Sequence, residues 1–208
     1  MDQSALIQSA QLGNLEAFNQ LVLLHQERVF STAVYMLNSE DSAADALQNA
    51  LLLAYHNITH FRGGSFQAWL LRILKNVCYD ELRRQKRHVC LALEPLSDDA
   101  DDFDTPHWLA DPTQNPAGDI ENQDLTRAIQ SSLQTLAPEY RLALILVDVD
   151  GLDYDEAAAA MGVPMGTVKS RLARARLKMR GKLQHYGDLL PDVYTRGALP
   201  AMGMGYAR

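Results

Sequence analysis

Residues 91–124 constrain the fold of this chain more than any other stretch. They hold ten acidic residues and no lysine or arginine. Within them Asp98-Asp99-Ala100-Asp101-Asp102-Phe103-Asp104 is followed by Pro106, Pro112, Pro116 and Gly118. Like charges at this density repel one another, and prolines interrupt backbone hydrogen bonding. Such a segment cannot bury a core, so it reads as a linker that is disordered or orders on binding. It divides the chain into an N-terminal unit, 1–90, and a C-terminal unit, 125–186. The last residues, 187–208, contain four glycines and two prolines and form a poorly ordered tail. With 208 residues and 47% hydrophobic composition, the chain has material for one large domain or two small ones.

Outside the linker the apolar spacing is helical, and no convincing period-2 strand is present. Glu16–Leu37 predicts one helix, with Phe18, Leu21, Val22, Val29, Phe30 and Ala33 on its apolar side. Asn38-Ser39-Glu40-Asp41 breaks it and caps a second helix, from about Ser42 to Asn57. Arg62-Gly63-Gly64-Ser65 is a turn. A third long helix runs from Phe66 to Arg87. After the linker, Leu125–Thr135 predicts a helix, and Pro138 opens another that continues to about Val149. Asp153 and Glu156 match a capping box for a short helix, Tyr154–Met161, which Gly162 ends. The expected fold is all-α: an N-terminal helical bundle and a C-terminal helix-turn-helix joined by a flexible acidic linker.

The charge pattern sets the function class. The total is −7, yet Lys169 to Lys182 carries seven Lys/Arg and no acid. Met165, Val168, Leu172, Ala175 and Met179 share one stripe of that helix and must pack inward. Lys169, Arg176 and Arg180 flank the stripe on one side; Arg171, Arg174, Lys178 and Lys182 flank it on the other. A helix seated on an apolar seam and cationic on both shoulders suits a groove between two phosphate backbones. Thr167, Lys169, Ser170, Arg171 and Arg174 lie early in it, where recognition helices reach base edges. Leu177 falls on the solvent side. A solvated basic face is the plain alternative, which the short preceding helix and the Gly162 turn disfavour.

The N-terminal unit has two further faces that call for partners. On the third helix Phe66, Leu70, Ile73 and Val77 form the expected core stripe. Arg72, Lys75, Asn76, Tyr79, Arg83 and Lys86 line up opposite, within roughly 100° of one another. Cations can track phosphates, the amide can read a base edge, and the ring can stack, as suits single-stranded or melted nucleic acid. A charged solvated face with an incidental tyrosine explains the pattern equally well. On the second helix Leu47, Ala50, Leu51, Ala54 and Ile58 form the expected buried side. Asp45, Gln48, Leu52 and Tyr55 form a separate stripe about 120° away by helical period. This stripe is a protein-binding patch, unless another part of the same unit covers it.

These pieces in this order resemble the bacterial sigma factors of the small, two-domain extracytoplasmic-function group in the sigma-70 superfamily. In residues 12–88 the resemblance rests on Asp45-Ala46-Leu47-Gln48, on the run Phe66 to Asn76, and on the run Asp80 to Arg87. In residues 133–177 it rests on Leu136-Ala137-Pro138-Glu139-Tyr140-Arg141, on Asp155-Glu156-Ala157-Ala158, and on Gly166 to Leu172 with Arg174-Ala175-Arg176. The resemblance implies a dissociable subunit that directs core RNA polymerase to promoter DNA and aids melting, with an anti-sigma factor as a further partner. Asp45 and Gln48, with Leu52 and Tyr55 beside them, would bind a coiled coil on the large polymerase subunit. The third helix and the loop before it, from Arg62, would trap the melted downstream element, with Asn76 at the family's base-reading position. Thr167, Lys169, Ser170, Arg171, Arg174, Arg176 and Lys178 would read the upstream element as duplex. The linker would thread the polymerase cleft; a plain solubilising spacer is the alternative.

The chain departs from the family pattern in places. Ala44 and Asn49 replace acids that usually flank the Asp45–Gln48 motif, and Leu51 stands where phenylalanine is common. Glu156-Ala157-Ala158 replaces the usual Glu-Ile-Ala. These changes bear on the strength of the polymerase contact and on the packing of the helix-turn-helix.

Other classes fit less well. No constellation for catalysis is present, and no cofactor is expected. Asp98–Asp104 lacks the glycine and terminal glutamate of a calcium loop. Asp148, Asp150, Asp153 and Asp155 read as turn and cap residues. Cys78, His88 and Cys90 match no zinc spacing, and two cysteines favour free thiols in a reducing compartment. Nothing approaches the roughly 18 apolar residues of a transmembrane helix. The N-terminus lacks a basic stretch followed by an apolar core, so a cytoplasmic protein is expected. The competing reading is a free-standing helix-turn-helix regulator with an N-terminal sensing or dimerisation domain.

Overall fold

The computed structural model describes residues 3–92 and 120–183, and both stretches are helical. The bulk of the acidic linker, 93–119, and the tail from 184 lie outside the described residues. The N-terminal stretch forms α1 (Gln3–Gln11), α2 (Leu15–Leu37), α3 (Glu40–Asn57), a 3-10 turn (Ile58–His60) and α4 (Phe66–Ala92). The separate helix α1 is one that the apolar spacing did not resolve. Gly13 ends it at φ +92°, and the Asn14 side chain caps α2 by accepting from the Ala17 amide at 3.2 Å. Asn38 stops α2 in the left-handed region, at φ +54°. The Ser39 hydroxyl accepts from the Ser42 amide at 3.2 Å, so α3 begins at Glu40 rather than Ser42. Glu40 and Asp41 then sit at the positive end of the α3 dipole.

Four small side chains, Ala43, Ala46, Ala50 and Ala54, form the buried face of α3. They allow α3 to lie close against α2 and α4. Leu47 and Leu51, expected to be buried, are only half-buried at the margins of this seam. The α4 stripe also differs from expectation. Phe66, Leu70, Leu71, Leu74 and Cys78 are buried, whereas Ile73 and Val77 pack at its edge. The stripe is turned and widened because α4 is embedded, with α2 and α3 on one flank and α7 on another. Phe61, Phe66 and Trp69 meet ring to ring, with centroids 5.4–5.8 Å apart. That cluster anchors the 58–65 loop to the start of α4.

The second stretch forms α5 (Ile120–Gln134), α6 (Pro138–Leu144), a π-helical turn (Ile145–Val149), α7 (Tyr154–Met161) and α8 (Met165–Lys182). Helix α5 starts inside the segment read as linker. Pro138 occupies the start of α6, where its missing N–H costs no hydrogen bond. The Asp153 carboxylate accepts from the Glu156 amide at 2.8 Å and starts α7. Gly162 ends α7 at φ +68°, its amide donating to Ala158 O at 2.8 Å. On α8, Val168, Leu172, Ala175 and Met179 are buried as the spacing predicts, whereas Met165 at the helix start is only half-buried, and Leu177 is 64% exposed.

The two units pack against each other. Leu142, Ala143, Ile145, Leu146, Ala157, Ala160, Met161 and Val168 join the same apolar core as Leu70, Leu74 and Met36. A second cluster, with Leu133, Leu136, Leu144, Leu172 and Met179, lies within the C-terminal unit. Polar contacts accompany the joint. Thr32 Oγ1 donates to Asp150 Oδ2 at 2.7 Å, Gln134 Nε2 to Tyr35 O at 3.1 Å, and Arg141 Nη1 to Met36 O at 2.6 Å.

Candidate nucleic-acid interface

The turn at Gly162-Val163-Pro164 sets α8 after α7 in the order of a helix-turn-helix. Seating the apolar seam of α8 leaves its cationic shoulders outward. Lys169, Arg174, Lys178 and Lys182 are exposed. Two tyrosines that the helical spacing gave no reason to single out support these cations. Lys169 Nζ lies 5.2 Å from the centre of the Tyr154 ring, and Lys178 Nζ 5.7 Å from that of Tyr140. Arg174 Nη1 reaches the Tyr140 hydroxyl at 3.4 Å. These partners lie far apart in sequence, and only the folded helix pair brings them together. Ser170 Oγ donates back to Thr167 O at 3.0 Å. Arg176 instead turns inward, and its guanidinium grips the Asp148 carboxylate at two points, Nε to Oδ2 at 3.0 Å and Nη2 to Oδ1 at 2.5 Å. That pair is largely shielded from solvent and ties α8 to the π-helical turn. Asp148 and Asp150 therefore do more than shape a turn, while Asp153 caps as expected.

The basic residues of α4 separate into two sets. Arg62, Arg72, Asn76, Arg83 and Lys86 are exposed. Arg83 pairs with Asp80 at 3.1 Å on the open surface. Lys75 and Tyr79 are partly covered by the C-terminal unit. Lys75 Nζ donates to Met161 O, the carbonyl at the end of α7, at 3.0 Å. Burial lowers the Lys75 ammonium from its ordinary value, and the nearby Arg72 and Arg171 charges lower it further. Burial pushes the Tyr79 phenol up to about 12, reinforced by Glu139 and opposed by Arg171. Arg171 thus stands close to the α4 face as well as on α8.

On α3, Asp45 and Gln48 are exposed and Leu52 is 55% exposed, with Leu53 beside it at 46%. Tyr55 is half-buried, its ring edge-on to Phe18 at 5.2 Å, so it forms the border of this patch rather than its centre. Cys78 is buried, and burial pushes its thiol up to about 12, a packing residue rather than a reactive one.

A helical bundle followed by a helix-turn-helix, each with a cationic helix, defines a two-part nucleic-acid-binding protein. Residues 21–88 match the family described as Sigma-70 region 2, and residues 126–179 the family described as Sigma-70, region 4. The chain is 33% identical over 189 residues to the ECF RNA polymerase sigma-E factor of Escherichia coli K12, covering 88% of this chain and 95% of that one. It is 32% identical over 174 residues to the ECF RNA polymerase sigma factor SigE of Mycolicibacterium smegmatis, covering 84% of this chain and 64% of that relative's length. Among solved structures it resembles CnrH in complex with the cytosolic domain of CnrY, with a TM-score of 0.62, 26% identity and coverage of 87% of this chain and 96% of that one. It also resembles the sigma factor RpoE of Bartonella quintana, solved with the anti-sigma factor NepR, with a TM-score of 0.61, 28% identity and coverage of 82% and 98%. The chain belongs to the extracytoplasmic-function sigma factors. It is a transcription initiation factor that directs RNA polymerase to promoters, and the reading as a free-standing regulator is not favoured.

Proposed function

We propose a division of labour among named residues within that activity. The upstream promoter element is read as duplex by Lys169, Ser170, Arg171 and Arg174 near the start of α8, with Thr167, Arg176 and Lys178 contributing position or phosphate contacts. The downstream element is held after melting by Arg62, Arg72, Lys75, Asn76, Tyr79, Arg83 and Lys86. Core polymerase is engaged through Asp45, Gln48 and Leu52, with Tyr55 supporting the patch. The functional division runs 1–90, 91–124, 125–186 and 187–208. The chain performs no covalent chemistry itself and works in the cytoplasm, where an anti-sigma protein holds it until a signal arrives. One similar structure, the sigma factor RpoE of Bartonella quintana, is solved with an anti-sigma factor, and among the described residues no helix is long and apolar enough to cross a membrane.

One observation carries this reading. Asn76 is exposed on a cationic helix that follows a glycine-hinged loop, while a second exposed cationic helix stands on the other unit. One side chain suits an unpaired base edge, the other surface a paired groove. The test separates duplex binding from melting in the reconstituted holoenzyme. Asn76→Ala is expected to reduce open-complex formation about tenfold or more, at nearly unchanged duplex binding. Arg171→Ala and Arg174→Ala are each expected to weaken duplex binding by about 1–3 kcal/mol. Equal losses in both assays for all three variants would remove the division of roles.

A further inference from the structure

We propose that Tyr140 is a positioning residue for upstream-element recognition: from the start of α6 it gathers Arg174 and Lys178 onto one shoulder of α8 without neutralising either charge. This rests on the assignment of those two residues to duplex DNA above. Arg174 Nη1 donates to the Tyr140 hydroxyl at 3.4 Å, and Lys178 Nζ stands 5.7 Å from the centre of the same ring. One neutral side chain thus touches two cations of the recognition helix. The platform it offers is stiff. Pro138 opens α6 with a fixed φ, and the buried Arg141, next to Tyr140, donates to the carbonyls of Gln134 at 2.8 Å and Leu136 at 3.2 Å. Those bonds pin the first turn of α6. Tyr140 is half-buried, packed on the cluster that holds Leu133, Leu136, Leu144, Leu172 and Met179. A tyrosine side chain turns about only two torsions, so packing one side of the ring leaves it little freedom.

Arg174 and Lys178 need such a partner. Both are exposed, and both carry long side chains with many rotamers to lose on binding. They stand four residues apart on one helix, where like charges repel. Alone, they would splay apart. The negative face of the Tyr140 ring draws Lys178 in, and the hydroxyl oxygen tethers Arg174. Arg176 shows the contrasting arrangement. The Asp148 carboxylate holds it at two points, and a cation paired in that way offers little net charge to a phosphate. Tyrosine holds its cations and leaves both charges in place. Arg174 keeps the rest of its N–H donors for a base edge or a phosphate.

The test measures binding of the reconstituted holoenzyme to duplex promoter DNA across a range of salt. Tyr140→Leu keeps an apolar side chain for the cluster, removes the ring face and the hydroxyl, and changes no charge. It is expected to weaken binding about fivefold. The slope of log affinity against log salt should fall by about one, as though a phosphate contact had been deleted. Tyr140→Phe keeps the ring, so the wild-type slope should return, with a loss of about twofold for the missing hydroxyl. In an Arg174→Ala, Lys178→Ala background, Tyr140→Leu is expected to cost nothing further, because the side chains it positions are gone. An undiminished loss in that background, as general loosening of the unit would give, overturns the proposal. So does a wild-type slope in Tyr140→Leu, or a slope in Tyr140→Phe as low as that of Tyr140→Leu. The paired alanine variant tests the assignment of the cations separately. If it binds duplex as wild type does, that assignment falls and the positioning role with it. If it binds weakly while Tyr140→Leu binds as wild type does, only the positioning role falls.

Discussion

Asp150 shows how one side chain reports on the whole joint. It follows the π-helical turn, and its carboxylate faces Thr32 across the two units. Burial raises its pKa from 3.8 to about 6, against the smaller opposing effects of the Thr32 hydroxyl and Arg28. A carboxyl whose pKa is raised in the folded protein is harder to ionise there than in the unfolded chain. Its cost is fully present above about pH 6 and fades as the pH falls toward 3.8. At about 1.4 kcal/mol per unit, the cost at neutral pH is on the order of 3 kcal/mol. Asp150→Asn keeps an acceptor for Thr32 and removes the ionisation. Thermal unfolding at pH 7.5 is expected to shift upward in this variant. The part of the stability gained by wild type between pH 6 and 4 should disappear. A wild-type-like pH profile would show that Asp150 ionises without cost.

At the scale of elements, most of the helix boundaries follow from short-range chemistry. Asp153 and Gly162 bracket α7, one by accepting an amide and the other by adopting φ +68°. Asp153→Ala is expected to cost about 1 kcal/mol in urea unfolding. Gly162→Ala is expected to cost about 1–2 kcal/mol, because a β-carbon is strained in the left-handed region. Both should weaken duplex promoter binding in proportion to the loss of folded elbow, and a stability loss with unchanged binding would separate α7 from recognition. The seam of α8, Val168, Leu172, Ala175 and Met179, was legible because its neighbours, chiefly α6 and α7, bury one stripe of the helix. The stripe of α4 was misplaced because that helix is packed from two directions, and a single periodic stripe describes only one. Helix α1 escaped notice because nine residues give too few turns for a period to stand out.

At the scale of the molecule, Arg141 joins the units. It is buried and donates to the carbonyls of Met36, Gln134 and Leu136 and to the Gln134 amide oxygen, all of them neutral acceptors. Burial lowers its pKa to about 10, so it remains charged at neutral pH. Arg141→Ala would strand buried carbonyls and empty the joint. A loss of about 2–4 kcal/mol is expected in chemical unfolding, together with loosening between the units in hydrogen exchange. Unchanged exchange along α2 in that variant would mean that Arg141 serves the C-terminal unit alone.

The amino-acid order by itself determined the helices other than α1, most of their caps, the apolar seam of the recognition helix and the family, because these depend on patterns read along the chain. It also marked the proposed contact residues by type: Asn76 and Arg174 by chemistry, Asp45 and Gln48 by motif. The tertiary structure decided what those residues face. Arg176 turns to Asp148, Lys75 to the end of α7, and Thr32 to Asp150. Each of these partners is more than 25 residues away along the chain, and helical periodicity carries no information about pairing at that distance. Docking one unit on the other partly covers Lys75 and Tyr79 and leaves Arg72, Asn76 and Arg83 exposed.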